Sequence, residues 1–418
     1  MIDFSKLQRD YATYLPAISK GYGEAVFKPF KRSVPIEPKD LDFFDTDTSL
    51  FYLPSALYSA GQAGLPSKTA SNVYQRDRAK TFLLGDSGGF QIIEGTLKIA
   101  GKVVKKPGDK ERGIILGWLE KHCDWAMTLD VPPAALDFPT SGYSQFRDCL
   151  ADTHDHVMYF EKHRKGRTKF LNCLHGRNEF ECELWYNAFR QFEFEGWAFG
   201  SGYKENPYLV LHRLLSMRDD GYLKDKERFH FLGQGGLVIA CVLTSIQRAL
   251  RQHINPEVCV TFDTSSPFTQ AAECQVFSGY VLKPKTFSIS KERMPDSPSY
   301  VGSDIPFPWR SPIGEQLTLG DLCVKSSGAT AWDGLTGHMM MNHNVFMQMD
   351  AIIAANRVYE LEAGDAKKYC PTALLEIRDI IAEAFETQNW DTLLTKHRNL
   401  LQIKSNDFTD GLNVRGDF

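Results

Sequence analysis

The stretch Thr81-Phe82-Leu83-Leu84-Gly85-Asp86-Ser87-Gly88-Gly89-Phe90-Gln91 decides the fold. Its apolar run has the length of a buried strand, and it stops on an acid, a hydroxyl and two glycines. Gly88-Gly89 lets the backbone turn sharply and come close to a ligand, which puts Asp86 at the strand's carboxyl end with its carboxylate delivered into a site. An isolated Asp-Ser-Gly stretch is most often a strand-turn with a capping acid, so the rest of the chain has to decide.

The same rhythm recurs downstream. Apolar and aromatic bursts at 81–84, 125–129, 169–174, 196–199, 229–232 and 258–262 end in Asp86, Asp130, His175-Gly176, Gly200-Ser201-Gly202, Gly233-Gln234-Gly235-Gly236 and Asp263. Between them, residues 113–121, 180–195, 207–219 and 237–253 carry helical periodicity. Strands alternating with helices predict a parallel sheet. At least six such units, each with reactive side chains just beyond the strand, favour an α/β fold of the (β/α)8 TIM type over an open doubly wound sheet, because barrel sites are assembled from strand ends. The glycines at 233–236 lack the Gly-x-Gly-x-x-Gly spacing of a dinucleotide-binding turn. Residues 1–80 mix short apolar pieces with Pro, Gly and aromatics without a sustained period, and are expected as an irregular N-terminal segment packed on the barrel. The barrel itself is expected over 80–350. Residues 351–418 are expected as a C-terminal helical appendage, with helices over 373–387 and 392–403 and Leu374, Ile377, Ile381 and Phe385 on one packed face.

Composition sets the outer bounds. The 418 residues are 43% hydrophobic, 24% charged and 12% aromatic, which fits a soluble globular chain. A formal net charge of -4 gives no global pull toward a polyanion, so nucleic acid would have to meet a local basic patch, with candidates at 102–110 and 163–169. Nine cysteines without a Cys-x-x-Cys pair, no leader pattern and a longest apolar stretch of 237–243 point to a reduced, cytoplasmic chain that does not enter a membrane.

Asp86, Asp130 and Asp263 all fall at strand ends. In a barrel they converge on one face. Three acids in one mouth suit an oxocarbenium-like displacement at a sugar carbon, in which one carboxylate attacks and another manages the leaving group's proton. A metal site is the competing use of such a trio, with His175 the one companion histidine in these loops.

The string Asp86-Ser87-Gly88-Gly89-Phe90-Gln91 resembles the signature of the tRNA-guanine transglycosylase family, in which the acid sits against the exchanged base. Four further segments match that family in order and approximate spacing. Cys123-Asp124-Trp125-Ala126-Met127-Thr128-Leu129-Asp130 is similar to the segment whose last acid reads the guanine edge. Asn172-Cys173-Leu174-His175-Gly176 is similar to the next segment, where Gln-Gly is usual. Phe199-Gly200-Ser201-Gly202 resembles a loop that touches the base, and Val260-Thr261-Phe262-Asp263-Thr264-Ser265-Ser266-Pro267 resembles the nucleophile segment. The resemblance implies Asp263 as nucleophile, Asp86 as general acid/base or base anchor, and Asp130 as the acid that recognises the base. It places Ser87, Gly88, Phe90, Gln91, His175, Gly200, Ser201 and Gly202 around the base.

The departures narrow the substrate. After Pro267 the chain reads Phe268-Thr269-Gln270-Ala271-Ala272, without the arginines of the tRNA enzymes, and His175 replaces the usual Gln. Gly337-His338-Met339-Met340-Met341-Asn342-His343-Asn344 resembles the helix that carries the family's zinc histidine, at His343, yet only Cys323 stands upstream. One thiolate and one imidazole do not close a tetrahedral site, so structural zinc is not expected and no cofactor is required. The pattern is most similar to bacterial and phage DNA-guanine transglycosylases. It implies exchange of guanine in DNA for a preQ0-like 7-deazaguanine by a retaining double displacement through a covalent aspartyl intermediate. The implied partners are DNA and the free base, with no membrane, a homodimer left open, and the host cytoplasm as the compartment if a phage encodes the chain. A tRNA-directed enzyme of the same chemistry and a non-catalytic nucleic-acid-binding paralogue are the alternatives.

Overall fold

The structure, a computed structural model, describes residues 1–47, 50–65, 69–294, 296–325 and 330–409. Its centre is an eight-stranded sheet in which every neighbouring pair is parallel. In chain order the strands are β1 (Thr13–Pro16), β2 (Ser55–Ser59), β3 (Phe82–Asp86), β4 (Trp125–Met127), β5 (Lys169–Leu174), β6 (Gly196–Phe199), β7 (Arg228–Phe231) and β8 (Cys259–Thr264). Spatial order follows chain order around the ring, with β8 returning to pair with β1. The last gap closes through a parallel bridge between Ala17 and Leu57, where the Ile18 N–H donates to the Leu57 carbonyl at 2.9 Å. The chain is a TIM-type (β/α)8 barrel with a C-terminal helical region.

Alternation along each strand sorts side chains between two cores. In β7, Phe229 and Phe231 join the outer core under the helices, whereas Arg228 and His230 alternate with them toward the lumen. Leu15, Leu57, Leu84, Trp125, Met127, Leu171, Cys173 and Ala198 fill the lumen as a cluster of their own. Its floor is polar at one point: the Arg228 guanidinium lies over the Phe82 ring at 4.2 Å and over Trp125 at 5.2 Å. The outer core is much larger and is supplied by helices such as Leu237–His253, buried along nearly its whole length.

The segment 1–80 corrects one expectation. It is not an addition to the barrel, because β1 and β2 come from it and the ring cannot close without them. They escape a periodicity search because β1 is four residues long and ends on a proline, and only short helices (Lys20–Ala25, Ala60–Ala63, Asn72–Gln75) lie around β2. Helices Pro207–Asp219 and Leu237–His253 keep the expected bounds, while Glu179–Phe189 ends early so that Phe192 and Phe194 can turn into the core.

Beyond β8 the chain forms helix Ser266–Ala272, an antiparallel hairpin of Gln275–Lys283 with Thr286–Arg293, and then the 26-residue helix Gly334–Tyr359. The terminal helices are Thr372–Glu386 and Trp390–Lys396; the first buries Leu374, Ile377, Ile381 and Phe385, the face read from the sequence. Among the described residues no helix is long and apolar enough to cross a membrane.

Candidate active site at the carboxyl ends of the strands

Asp86 ends β3 opposite Ser59, the last residue of β2. Burial pushes its carboxyl up from an ordinary 3.8 to about 6; Asp130 and Asp263 add to that push, and the Gly88 N–H at 3.1 Å and the Ser59 hydroxyl oppose it. Asp86, Asp130 and Asp263 all stand at the carboxyl ends of strands in one parallel ring, which puts the three carboxylates in one mouth. The turn after it is built for close approach. Gly88 takes φ +95°, and a Cβ on Gly89 would stand 2.6 Å from the Asp130 carbonyl oxygen and 2.7 Å from its Oδ1, so no side chain fits there. Ser87 is fully buried and donates to the Thr128 carbonyl at 3.1 Å, which ties the β3 turn to the end of β4.

Asp130, 7% exposed, follows β4 and faces His175 at the end of β5, with Oδ2 2.8 Å from His175 Nε2. The imidazole is set from its other side, where Nδ1 and Ser201 Oγ are 3.1 Å apart. Gly200 makes room for it, since a Cβ there would touch the ring at 2.5 Å. Ser201 itself sits at φ +44°, a left-handed conformation that a serine rarely adopts and that the 200–202 loop imposes. Gly202 closes against Gly176, whose carbonyl accepts its N–H at 2.6 Å. His175 Nε2 therefore faces the Asp130 carboxylate, and among the described residues it has no other partner.

Asp263, 8% exposed, ends the trio on β8. Its Oδ1 accepts the Gly233 N–H at 2.8 Å and lies 3.2 Å from Nε2 of the wholly buried His230. His230 was not singled out in the sequence, and Gly233 was read only as the turn that ends its burst. The signal was present: His230 is the polar inward residue of an apolar burst, shortly before a glycine turn.

The remaining expected residues divide. Phe90 stands at the lip, 48% exposed, with its edge toward Phe138 at 5.7 Å. Gln91 braces the turn after β2, where its Oε1 accepts from Ser59 Oγ at 3.0 Å. The two basic runs lie at opposite ends of the barrel. The hairpin of Lys98–Ile99 with Lys102–Val103, followed by exposed Lys105, Lys106 and Lys110, comes off the carboxyl end of β3 and flanks the mouth. The 163–169 run leads into the amino end of β5, where Arg164 pairs with Glu195 at 2.8 Å and Lys169 with Glu227, so it is remote from the mouth and partly paired.

Two metal questions can be asked of these residues. His343, the counterpart of the zinc histidine, is fully buried; Nε2 lies 2.9 Å from the Phe277 carbonyl and Nδ1 2.7 Å from Ser311 Oγ, and burial lowers its pKa to about 4. Both ring nitrogens are spent on protein partners, so the residues present do not fit a zinc ion there. Among the described residues the one group of three donors within 4.8 Å of one another is Asp130, Cys173 and His175. Cys173 lies below the other two in the lumen, and burial holds its thiol well above the usual range. Comparison of the chain with models of protein families and with curated proteins finds no match.

Proposed function

We propose that the chain is a base-exchange transglycosylase that replaces guanine in DNA with a 7-deazaguanine base. The observation that carries this reading is the division of labour among three acids in one mouth, Asp130 and Asp263 buried and Asp86 partly so: the Asp86 carboxyl is raised to about 6, while Asp263 has one oxygen held by a backbone N–H. Two carboxyl groups with different environments are what an acid and a nucleophile at an anomeric carbon need. The target guanine is extruded or taken from a single strand, because neither C1′ nor the base edge is reachable in a stack. Asp263 attacks C1′ as the C1′–N9 bond breaks; the departing guanine takes the bonding pair and a proton from Asp86. The incoming base returns a proton to Asp86, attacks C1′ through N9 and displaces the aspartate, so configuration is retained.

Asp130 and His175 suit the base edge. A carboxylate accepts from the guanine N1 and N2 donors, and His175, 2.8 Å from that carboxylate, holds it in place beside the base. The lysine hairpin beside the mouth suits the phosphate backbone of a chain whose net charge is otherwise negative. Incorporation of a labelled 7-deazaguanine, run on DNA and on tRNA in parallel, tests the proposal. Label in DNA alone supports it. Label in tRNA alone moves the substrate and leaves the chemistry, and free guanine release without uptake replaces exchange by hydrolysis.

The donor group Asp130, Cys173 and His175 favours one other reading, a cation held at the mouth to activate water. Metal analysis of the purified protein separates the two, because stoichiometric metal lost on His175→Ala would occupy the atoms that the base requires.

A further inference from the structure

His230 is an anomaly in the lumen: it is wholly buried, next to an otherwise apolar filling, and directly beneath Asp263. Its hydrogen-bond partners fix where its protons lie. His230 is in register with Thr261 on β8, and Nδ1 is 3.0 Å from Thr261 Oγ1. The Thr261 hydroxyl has one proton and two acceptors in reach, Nδ1 at 3.0 Å and the Phe229 carbonyl at 3.4 Å; the nearer is Nδ1, so the ring carries its hydrogen on Nε2. Nε2 then points at Asp263 Oδ1, 3.2 Å away, with no hydrogen bond elsewhere among the described residues. A bare lone pair against a carboxylate in a dry interior is repulsive, so one proton has to reside between the two groups.

We infer that His230 is the positioning residue of the nucleophile: its Nε2–H and the Gly233 N–H together occupy Asp263 Oδ1, which leaves Oδ2 as the oxygen free to attack. The inference rests on Asp263 being the nucleophile and adds which oxygen reacts and what aims it. While Asp263 attacks it has to be ionised, and the ring N–H is the donor that holds its Oδ1. The neighbours in register offer no substitute, since Ala198 beside His230 and Leu15 beside Asp263 carry no polar side-chain atom. Thr261 acts one step further back, by holding the ring in the tautomer that turns its N–H upward.

The test compares His230→Phe, His230→Gln and Thr261→Val with Asp263→Ala in full-length protein, scored by labelled-base incorporation and by covalent DNA adduct on a denaturing gel. His230→Phe should lose about 10²–10³-fold in kcat with KM for the base within about threefold of wild type, because aim and not base contact is removed. His230→Gln, which keeps a donor, should recover at least about tenfold of that loss, and Thr261→Val should lose about tenfold with KM unchanged. A merely structural histidine would give equal losses in Phe and Gln variants, or losses that follow melting temperature. Wild-type kcat in His230→Phe, or Gln no better than Phe, overturns the inference. If His230→Phe does not fold, Thr261→Val decides, and wild-type kcat there overturns it. Asp263→Ala separates the two levels: exchange surviving in that variant sinks the nucleophile assignment itself, whereas a dead Asp263→Ala beside an unaffected His230→Phe sinks only the positioning role.

Discussion

Two regions of the molecule bury histidines whose surroundings can be set side by side, and they use them differently. At the barrel mouth His175 and His230 each turn Nε2 to an aspartate, at 2.8 Å and 3.2 Å. In helix Gly334–Tyr359, behind the barrel, His343 gives one nitrogen to Ser311 and the other to the Phe277 carbonyl. Burial is nearly the same in all three, so burial alone does not mark a site. What separates them is what the ring faces. An imidazole between a serine and a backbone carbonyl joins hairpin to helix; one that faces a carboxylate at a strand end sets the acid that the site uses.

The largest effect expected from breaking the mouth is at Asp263. Asp263→Ala should reduce exchange by about 10⁴-fold or more while the melting temperature stays close to wild type, since the covalent route is removed and no bypass of comparable rate exists. Wild type held with DNA and no incoming base should give an adduct on a denaturing gel, and the variant none. Near-normal incorporation by Asp263→Ala would break the comparison at its strongest point.

Next comes Asp86, where pH supplies the readout. Its carboxyl is raised from 3.8 to about 6 on folding, so the folded chain holds the proton more tightly than the unfolded one. The stability linked to that proton is complete below the ordinary value and is lost as pH rises through about 6. Asp86→Asn should therefore melt above wild type at about pH 7 and not at about pH 3.5. A general acid has to be protonated when the base departs, so the rate of adduct formation should fall as pH climbs through about 6, and Asp86→Asn should cost about 10²–10⁴-fold at any pH. A rate flat from about pH 5 to 8 would remove Asp86 from proton transfer.

Recognition should cost less. Asp130→Asn turns one acceptor into a donor in front of the guanine N1 and N2 hydrogens, worth about 1–3 kcal/mol, or about 5–150-fold in base affinity, with bases lacking the N2 amine discriminated less. Unchanged affinity and selectivity would show that the acid serves His175 alone. Replacing Lys102 and Lys106 by alanine should weaken DNA binding by a few fold each and make its salt dependence shallower, by about one unit of slope for each phosphate that no longer meets a lysine.

How much of this was legible in the sequence follows from where information is local. Six of the eight strands could be read because an apolar burst met a turn residue within a few positions; β1 and β2 could not, since their pairing with β8 and β3 is made across the closed ring and leaves no periodic trace. Asp86, Asp130 and Asp263 were visible as acids that end strands. The His175–Asp130 contact was not, because it joins two different strands, although each residue was singled out separately. His230 was hidden by its neighbours: between Phe229 and Phe231 it reads as one more strand residue, and only the register with Thr261 shows which way it faces.

The smallest effect on exchange is expected at the region behind the barrel, and it tests the comparison from the other side. His343→Ala removes a ring that ties Ser311 and the Phe277 carbonyl to helix Gly334–Tyr359, leaving the carbonyl without that donor and Ser311 Oγ with the Gly314 N–H, around a small cavity. The expected cost is about 2–4 kcal/mol of folding stability, with kcat and KM of the folded fraction unchanged. Chelator should shift neither melting temperature nor activity of wild type, because a ring with both nitrogens hydrogen-bonded to protein has no lone pair left for a metal. Exchange that falls out of proportion to the folded fraction would couple the two regions. Stoichiometric zinc released by His343→Ala would show that the imidazole trades its protein partners for metal, and the distinction between histidines that face an acid of the site and one that only joins structure would then fail at the residue where it is drawn most sharply.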